Sequence, residues 1–288
     1  MISPIQYVTS VGGVEVALRD FGGDGPPLLI SHATGFHAMC YSKLAKALSE
    51  RYHCWAIDLR GHGDSRYPDD VDLDWRLMGS DIAAALAFAV GDEPVFGVGH
   101  SMGGVAIALA ELDHPGTFRA AWLYEPVLFP FDVLPEGQNP MAEPARRRRE
   151  VFESHDAVFD SYWSRPPFNS IDPVVLRAYI DHGFARQDDG SVLIKCRGAT
   201  EAAVFEHFGS GAFERLADLE IPVALARSGD GGRPALVQDL VLAQLAYGEL
   251  IEFENLNHFG PFQDSEQIAD SIHDYFVRSD PATERSAS

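Results

Sequence analysis

Six consecutive residues, Gly99-His100-Ser101-Met102-Gly103-Gly104, place a hydroxyl between glycines. The apolar stretch 94–99 precedes them, and an Ala- and Gly-rich stretch, 101–112, runs on from them. A serine on a sharp strand-to-helix turn is a nucleophile elbow. Gly99 and Gly103 leave room for a strained turn, and the helix start aims free N–H groups at a developing negative charge. Ser101 is therefore the expected nucleophile, and the Met102 N–H is an expected oxyanion donor.

A hydroxyl is a weak nucleophile until a base takes its proton. His258, in Asn257-His258-Phe259-Gly260-Pro261-Phe262, is one of eleven histidines and alone lies between the last strand-like run and the last helix-like run. That is where a base belongs in the order serine, acid, histidine. Two acids compete to orient it. Glu125, in Trp122-Leu123-Tyr124-Glu125-Pro126, ends the apolar run after the elbow helix. Asp230, in Arg227-Ser228-Gly229-Asp230-Gly231-Gly232, follows the run 221–226. A carboxylate at the end of a buried strand needs a partner, and an imidazole is one, which favours Glu125. Asp230 sits among glycines, where a solvated turn residue is common. A second oxyanion donor is expected from Ser31-His32-Ala33-Thr34-Gly35-Phe36-His37, with the Thr34 N–H as candidate. His32 reads as a residue that holds this loop together.

These groups need a scaffold. Residues 14–21, 28–30, 53–57, 94–99 and 120–125 read as strands, with helical spacing over 41–48, 77–90 and 101–112. Such alternation predicts a mostly parallel sheet covered on both faces, the α/β class. The pattern breaks after Pro126. Residues 129–216 are aromatic, charged and proline-rich, with helical spacing at 146–158 and 174–184, and read as a helical cap insert. Alternation resumes with a strand at 221–226, a helix at 235–246, a strand at 250–253 and a helix at 267–277. The expected division is a core of 1–128 and 217–279, a cap of 129–216, and a small polar, disordered tail of 280–288.

The formal net charge of −21 repels nucleic acid and anionic lipid, and no apolar run is long enough to span a bilayer. Three well-separated cysteines suit buried thiols in a reducing cytoplasm better than a disulfide framework or a zinc site. The expected partners are a small-molecule substrate and a second copy of the chain in a homodimer. No cofactor or metal is implied. The run Arg146-Arg147-Arg148-Arg149 suits either a solvated helix face or an anionic substrate, with Glu143, Glu150 and Glu153 available to pair with it.

Four motifs resemble the α/β-hydrolase superfamily across 10–126 and 217–278. They are His32-Ala33-Thr34-Gly35-Phe36, Asp58-Leu59-Arg60-Gly61-His62-Gly63-Asp64-Ser65, Gly99 to Gly104, and His258-Phe259-Gly260-Pro261. The resemblance implies the α/β-hydrolase fold, with a sheet of about eight strands and a cap inserted after the sixth. Ala33 and Asn257 stand where the family usually has glycine. The Tyr124-Glu125-Pro126 step and the Ser31 to Phe36 segment resemble a subset, lactone and acyl-CoA hydrolases among them, that carries its acid after the sixth strand. The expected activity is hydrolysis of a carboxylic ester, lactone or thioester of a small apolar substrate through an acyl-enzyme. Acyl transfer to peroxide, C–C bond cleavage and non-catalytic ligand binding on the same fold are the alternatives.

Overall fold

The computed structural model describes residues 4–130, 139–208, 210–229, 232, 235 and 237–279. The core runs β1 (Gln6–Thr9), β2 (Glu15–Gly22), β3 (Pro27–Ser31), α1 (Ser42–Leu48), β4 (His53–Asp58), α2 (Met78–Ala89), β5 (Val95–His100), α3 (Met102–Asp113) and β6 (Phe118–Tyr124). An insert follows, with α4 (Ala142–Arg146), β7 (Val151–Phe152), α5 (His155–Trp163), α6 (Pro173–Gly183), β8 (Phe184–Arg186), β9 (Val192–Ile194) and α7 (Gly198–Glu206). The core resumes with β10 (Val223–Ser228), α8 (Gln238–Leu242), β11 (Gly248–Phe253), α9 (Gly260–Gln263) and α10 (Ser265–Ser279).

Eight strands form one sheet in the order β1-β2-β4-β3-β5-β6-β10-β11. The pairs β1–β2 and β2–β4 are antiparallel, and every pair from β4 to β11 is parallel. The central strands β3 and β5 are buried along their whole length because both faces are covered. Leu28 and Ile30 of β3, Ala56 of β4 and Trp122 of β6 pack with α1 and α10 on one face. Leu29, Ile57 and Leu123, one residue out of step, pack with α2 and α3 on the other.

The insert differs from the expected helical cap. It holds helices, but β7, β9 and β8 form a three-stranded antiparallel sheet inside it. The helix expected over 146–158 is broken for two reasons, one local and one not. The Ser154 side chain accepts the Ala157 N–H and starts α5 afresh, and β7 just before it pairs with β9. The helix expected over 174–184 is present as α6, set by the Asp172 cap and Pro173 at its first turn. The segment 280–288, expected to be disordered, and Asp230 lie outside the described residues.

The arginine run is neutralised within the insert. Arg146 pairs with Glu206 at 2.8 Å, Arg147 with Glu143 at 2.6 Å, Arg149 with Glu153 at 3.0 Å, and Arg148 with Glu201. Glu150 instead takes Arg197. Arg148 is the one turned inward, where it also donates to the Tyr162 and Tyr179 hydroxyls at 3.0 and 2.9 Å. Those partners hold its pKa above the ordinary arginine value against the opposing effect of burial.

Candidate active site

Ser101 stands between β5 and α3 with φ +55°, ψ −116°, a left-handed backbone that a non-glycine residue adopts only under strain. Its N–H is held by the Tyr124 carbonyl at 2.9 Å. The glycines around it have no space for a side chain. A Cβ on Gly99 would lie 2.5 Å from the Gly104 Cα, and one on Gly103 would lie 2.1 Å from the Ser31 carbonyl oxygen. The tight turn thus also brings α3 hard against the end of β3. Among the described residues, neither the Met102 nor the Thr34 N–H has an acceptor. The Thr34 hydroxyl donates to the Met102 sulfur at 3.3 Å, which joins the two segments that carry these N–H groups.

Glu125 follows β6 directly and is fully buried, with φ +41°. One carboxylate oxygen accepts the Ser228 N–H at 2.8 Å and the Ser228 hydroxyl. The other lies 2.6 Å from His258 Nδ1. A carboxylate oxygen accepts, so Nδ1 carries the proton and Nε2 is left as the basic nitrogen. The structure therefore brings Glu125 and His258 together. His258 also lies against the elbow: its carbonyl is 2.8 Å from His100 Nε2, and the two imidazole rings are 5.1 Å apart. Asn257 makes its own turn here, its side-chain oxygen accepting the Phe259 N–H at 2.8 Å, which suits asparagine to a position where the family usually has glycine.

The loop with Thr34 is tied to the 58–65 loop by two histidines in reciprocal fashion. His32 Nδ1 donates to the Ala33 carbonyl at 2.8 Å, and its Nε2 accepts the Leu59 N–H at 3.0 Å. His62 Nδ1 donates to the Arg60 carbonyl at 2.9 Å, and its Nε2 accepts the Gly35 N–H at 3.0 Å. Both rings need a lone pair on Nε2, so both must be neutral. Burial pushes each pKa down to about 3. The 58–65 loop is itself anchored by the fully buried, bidentate Arg60–Asp81 pair, at 2.7 and 2.8 Å. His32 thus holds the loop as the sequence suggested. His62 was missed, although it stands between Gly61 and Gly63 in a motif already singled out.

The insert closes over the same loop. Phe36 packs against Tyr179 of α6 at 5.2 Å and against Phe259 and Phe262 at 5.8 and 4.7 Å. Phe168 and Tyr162 extend this aromatic wall, with rings 4.5 Å apart. His37 is buried beneath it, stacked on Tyr179 and 3.0 Å from the Tyr179 carbonyl. Among the described residues, no group of three His, Cys, Asp or Glu side chains could hold a metal ion.

The parallel sheet, the elbow after β5 and the insert after β6 describe an α/β hydrolase, and the sequence comparison agrees. The chain belongs to the alpha/beta hydrolase family, whose model matches residues 28–271. An alignment 117 positions long, covering 36% of this chain and 30% of the relative, is 38% identical to protein phosphatase methylesterase 1 of Mus musculus. The chain thus spans about a third of the length of that curated relative. The structure of an E-2-(acetamidomethylene)succinate hydrolase matches with a TM-score of 0.76 at 21% identity, over 95% of this chain and 98% of that one. That of an esterase from Rhodococcus sp. ECU1013 matches with a TM-score of 0.74 at 21% identity, over 96% and 100%. These two likenesses bear on the fold.

Proposed function

We propose that this chain is a serine hydrolase that cleaves an ester-type carbonyl bond (ester, lactone or thioester) of a small apolar substrate. The observation that carries this reading is the 2.6 Å contact between His258 Nδ1 and the buried Glu125 carboxylate, on a loop packed against the strained Ser101 elbow. Each group has a role that its surroundings support. Ser101 Oγ attacks the substrate carbonyl carbon, and its proton passes to His258 Nε2. Glu125 orients the ring and stabilises the imidazolium that forms. The free N–H groups of Met102 and Thr34 face the oxyanion. Collapse of the tetrahedral species expels the alcohol, or the thiol, with the proton from His258. Water then adds to the acyl-serine by the same route and releases the acid.

The aromatic wall of Phe36, Phe168, Tyr162 and Phe259 supports an apolar substrate. The neutralised arginine run removes the support for an anionic one. The methylesterase relative is in keeping with ester chemistry. Three free, buried cysteines suit a reducing cytoplasm, and no described helix is long and apolar enough to cross a membrane.

The test is a fluorophosphonate probe together with p-nitrophenyl esters of graded chain length. Labelling and turnover that vanish in Ser101→Ala are expected. No Ser101-dependent labelling and no turnover of any ester, lactone or thioester would overturn the reading.

A further inference from the structure

His100 and Tyr124 are cross-strand partners at the C-terminal ends of β5 and β6. Their rings meet edge to face at 5.6 Å. Each reaches across to the same loop. The Tyr124 hydroxyl donates to the Asn257 carbonyl at 2.7 Å, and His100 Nε2 donates to the next carbonyl, that of His258, at 2.8 Å. Behind His100, the Tyr41 hydroxyl accepts the Ala33 N–H at 3.1 Å and lies 2.8 Å from His100 Nδ1. A hydroxyl has one proton. With Ala33 as donor to Tyr41, that proton goes to His100 Nδ1, and His100 keeps its own proton on Nε2 for the His258 carbonyl. The chain from Ala33 through Tyr41 and His100 to His258 is therefore complete in one direction. Ala33, Tyr41 and His100 are buried, and His258 is partly exposed.

We infer that His100 and Tyr124 are positioning residues that seat the His258 loop on the strand ends beside Ser101, with Tyr41 setting the His100 tautomer. Neither touches the reacting atoms. They act by holding two consecutive carbonyls, so the His258 ring cannot drift from the elbow without breaking hydrogen bonds from two buried donors. The same chain starts at Ala33, next to Thr34. One set of hydrogen bonds thus registers the base and the second oxyanion donor against a common residue of the elbow. Gly260 fits this seat, since a Cβ there would lie 2.2 Å from the Tyr124 hydroxyl oxygen. The inference rests on the hydrolase reading above for its kinetic consequence.

The experiment compares His100→Leu, His100→Gln, Tyr124→Phe and Tyr41→Phe. Glutamine can still donate toward His258 and accept from Tyr41; leucine can do neither. His100→Leu is expected to lose about 100-fold in kcat with KM unchanged, as a small displacement of a reacting group does. His100→Gln is expected to recover most of that loss. The two Phe variants, which keep ring packing, are expected to fall between them. Proton NMR reads the seat without any substrate: the far-downfield His258 Nδ1–H signal from its hydrogen bond to Glu125 is expected in the wild type and His100→Gln and lost in His100→Leu. Equal kcat for His100→Leu and wild type, or equal losses for Leu and Gln, would overturn the inference. So would a loss confined to KM, or an unchanged NMR signal in His100→Leu. If His100→Leu does not fold, the Gln and Phe variants decide the matter. A wild type that no fluorophosphonate labels defeats the hydrolase reading alone, and the NMR comparison still decides the seat.

Discussion

Ser228 and Glu125 are joined by two hydrogen bonds to a single carboxylate oxygen, one from the backbone N–H and one from the hydroxyl. That leaves the second oxygen for His258. β10 therefore supplies the support for the acid on β6. Glu125→Gln is expected to lower kcat by about 10,000-fold, the scale seen when an amide replaces the triad acid and selects the wrong tautomer. Asp230→Asn is expected to retain wild-type turnover, because Glu125 already occupies the Nδ1 side of His258. Hydrolysis of a p-nitrophenyl ester by the two variants checks both.

Ser228→Ala removes one charge-assisted donor and leaves the other. The expected loss is about 1.5–3 kcal/mol of stability, with a far smaller fall in kcat than Glu125→Gln produces. Urea denaturation followed by circular dichroism gives the first quantity, and the ester assay gives the second.

The buried histidines define an acid limit to stability. His32 and His62 have pKa values of about 3, and His37 about 4, each lowered chiefly by burial. A histidine that stays neutral in the native state binds its proton only on unfolding. The stabilisation is complete above the ordinary value near 6.5 and is lost as pH falls toward 4 and 3. Each contributes a slope of about 1.4 kcal/mol per pH unit within that window. The melting temperature is expected to fall steeply below pH 6. His62→Gln, whose side-chain oxygen still accepts from Gly35, is expected to show a shallower fall.

Gly103→Ala places a methyl group where the Ser31 and His32 carbonyl oxygens lie. Either β3 or α3 must move, and the 31–36 loop moves with it. The expected outcome is a loss of 3 kcal/mol or more, roughly the upper end of overpacking costs, read as a fall in melting temperature and in soluble yield. Ser101→Ala, which removes the hydroxyl and keeps the turn, is expected to melt within a few degrees of wild type.

Arg148→Met strips Glu201 of its cation inside the insert and leaves two tyrosine hydroxyls without their donor. Breaking a largely buried ion pair from one side is expected to destabilise by about 3–5 kcal/mol. Arg147→Met, which removes an exposed partner of Glu143, is expected to change stability by less than about 0.5 kcal/mol. Thermal denaturation of the two variants makes the comparison.

The core was legible because its signals are local. Apolar runs such as Leu28 to Ile30 and residues 120–124 announce strands buried on both faces, and the Gly99 to Gly104 motif carries its own steric reason. The preference for Glu125 rested on the need of a buried carboxylate for a partner and on the resemblance of the Tyr124-Glu125-Pro126 step, and the Glu125 carboxylate lies 2.6 Å from His258 Nδ1. The insert was less legible because its order is non-local. β7 and β9 pair across some forty residues, a relationship that neither periodicity nor capping reveals. One local signal was available: Asp189-Gly190, between β8 and β9, is a hairpin-turn pair, and Gly190 has φ +87°. The roles of His62, His100 and Tyr124 are legible only as contacts between segments far apart in the chain.

The segment from β5 through α3 to Glu125 is a single strand–helix–strand unit that holds the proposed nucleophile, one proposed oxyanion N–H and the proposed acid. In chain order all three are finished before the first residue of the insert. The insert can therefore lengthen, shorten or change its lining without passing between them. A ribosome that has passed Glu125 has already delivered every proposed reacting group except the base, His258, and the insert rewrites only what that chemistry is shown. Transplanting caps between relatives at the 129–216 boundaries is thus a route to new substrate preference that leaves this unit untouched.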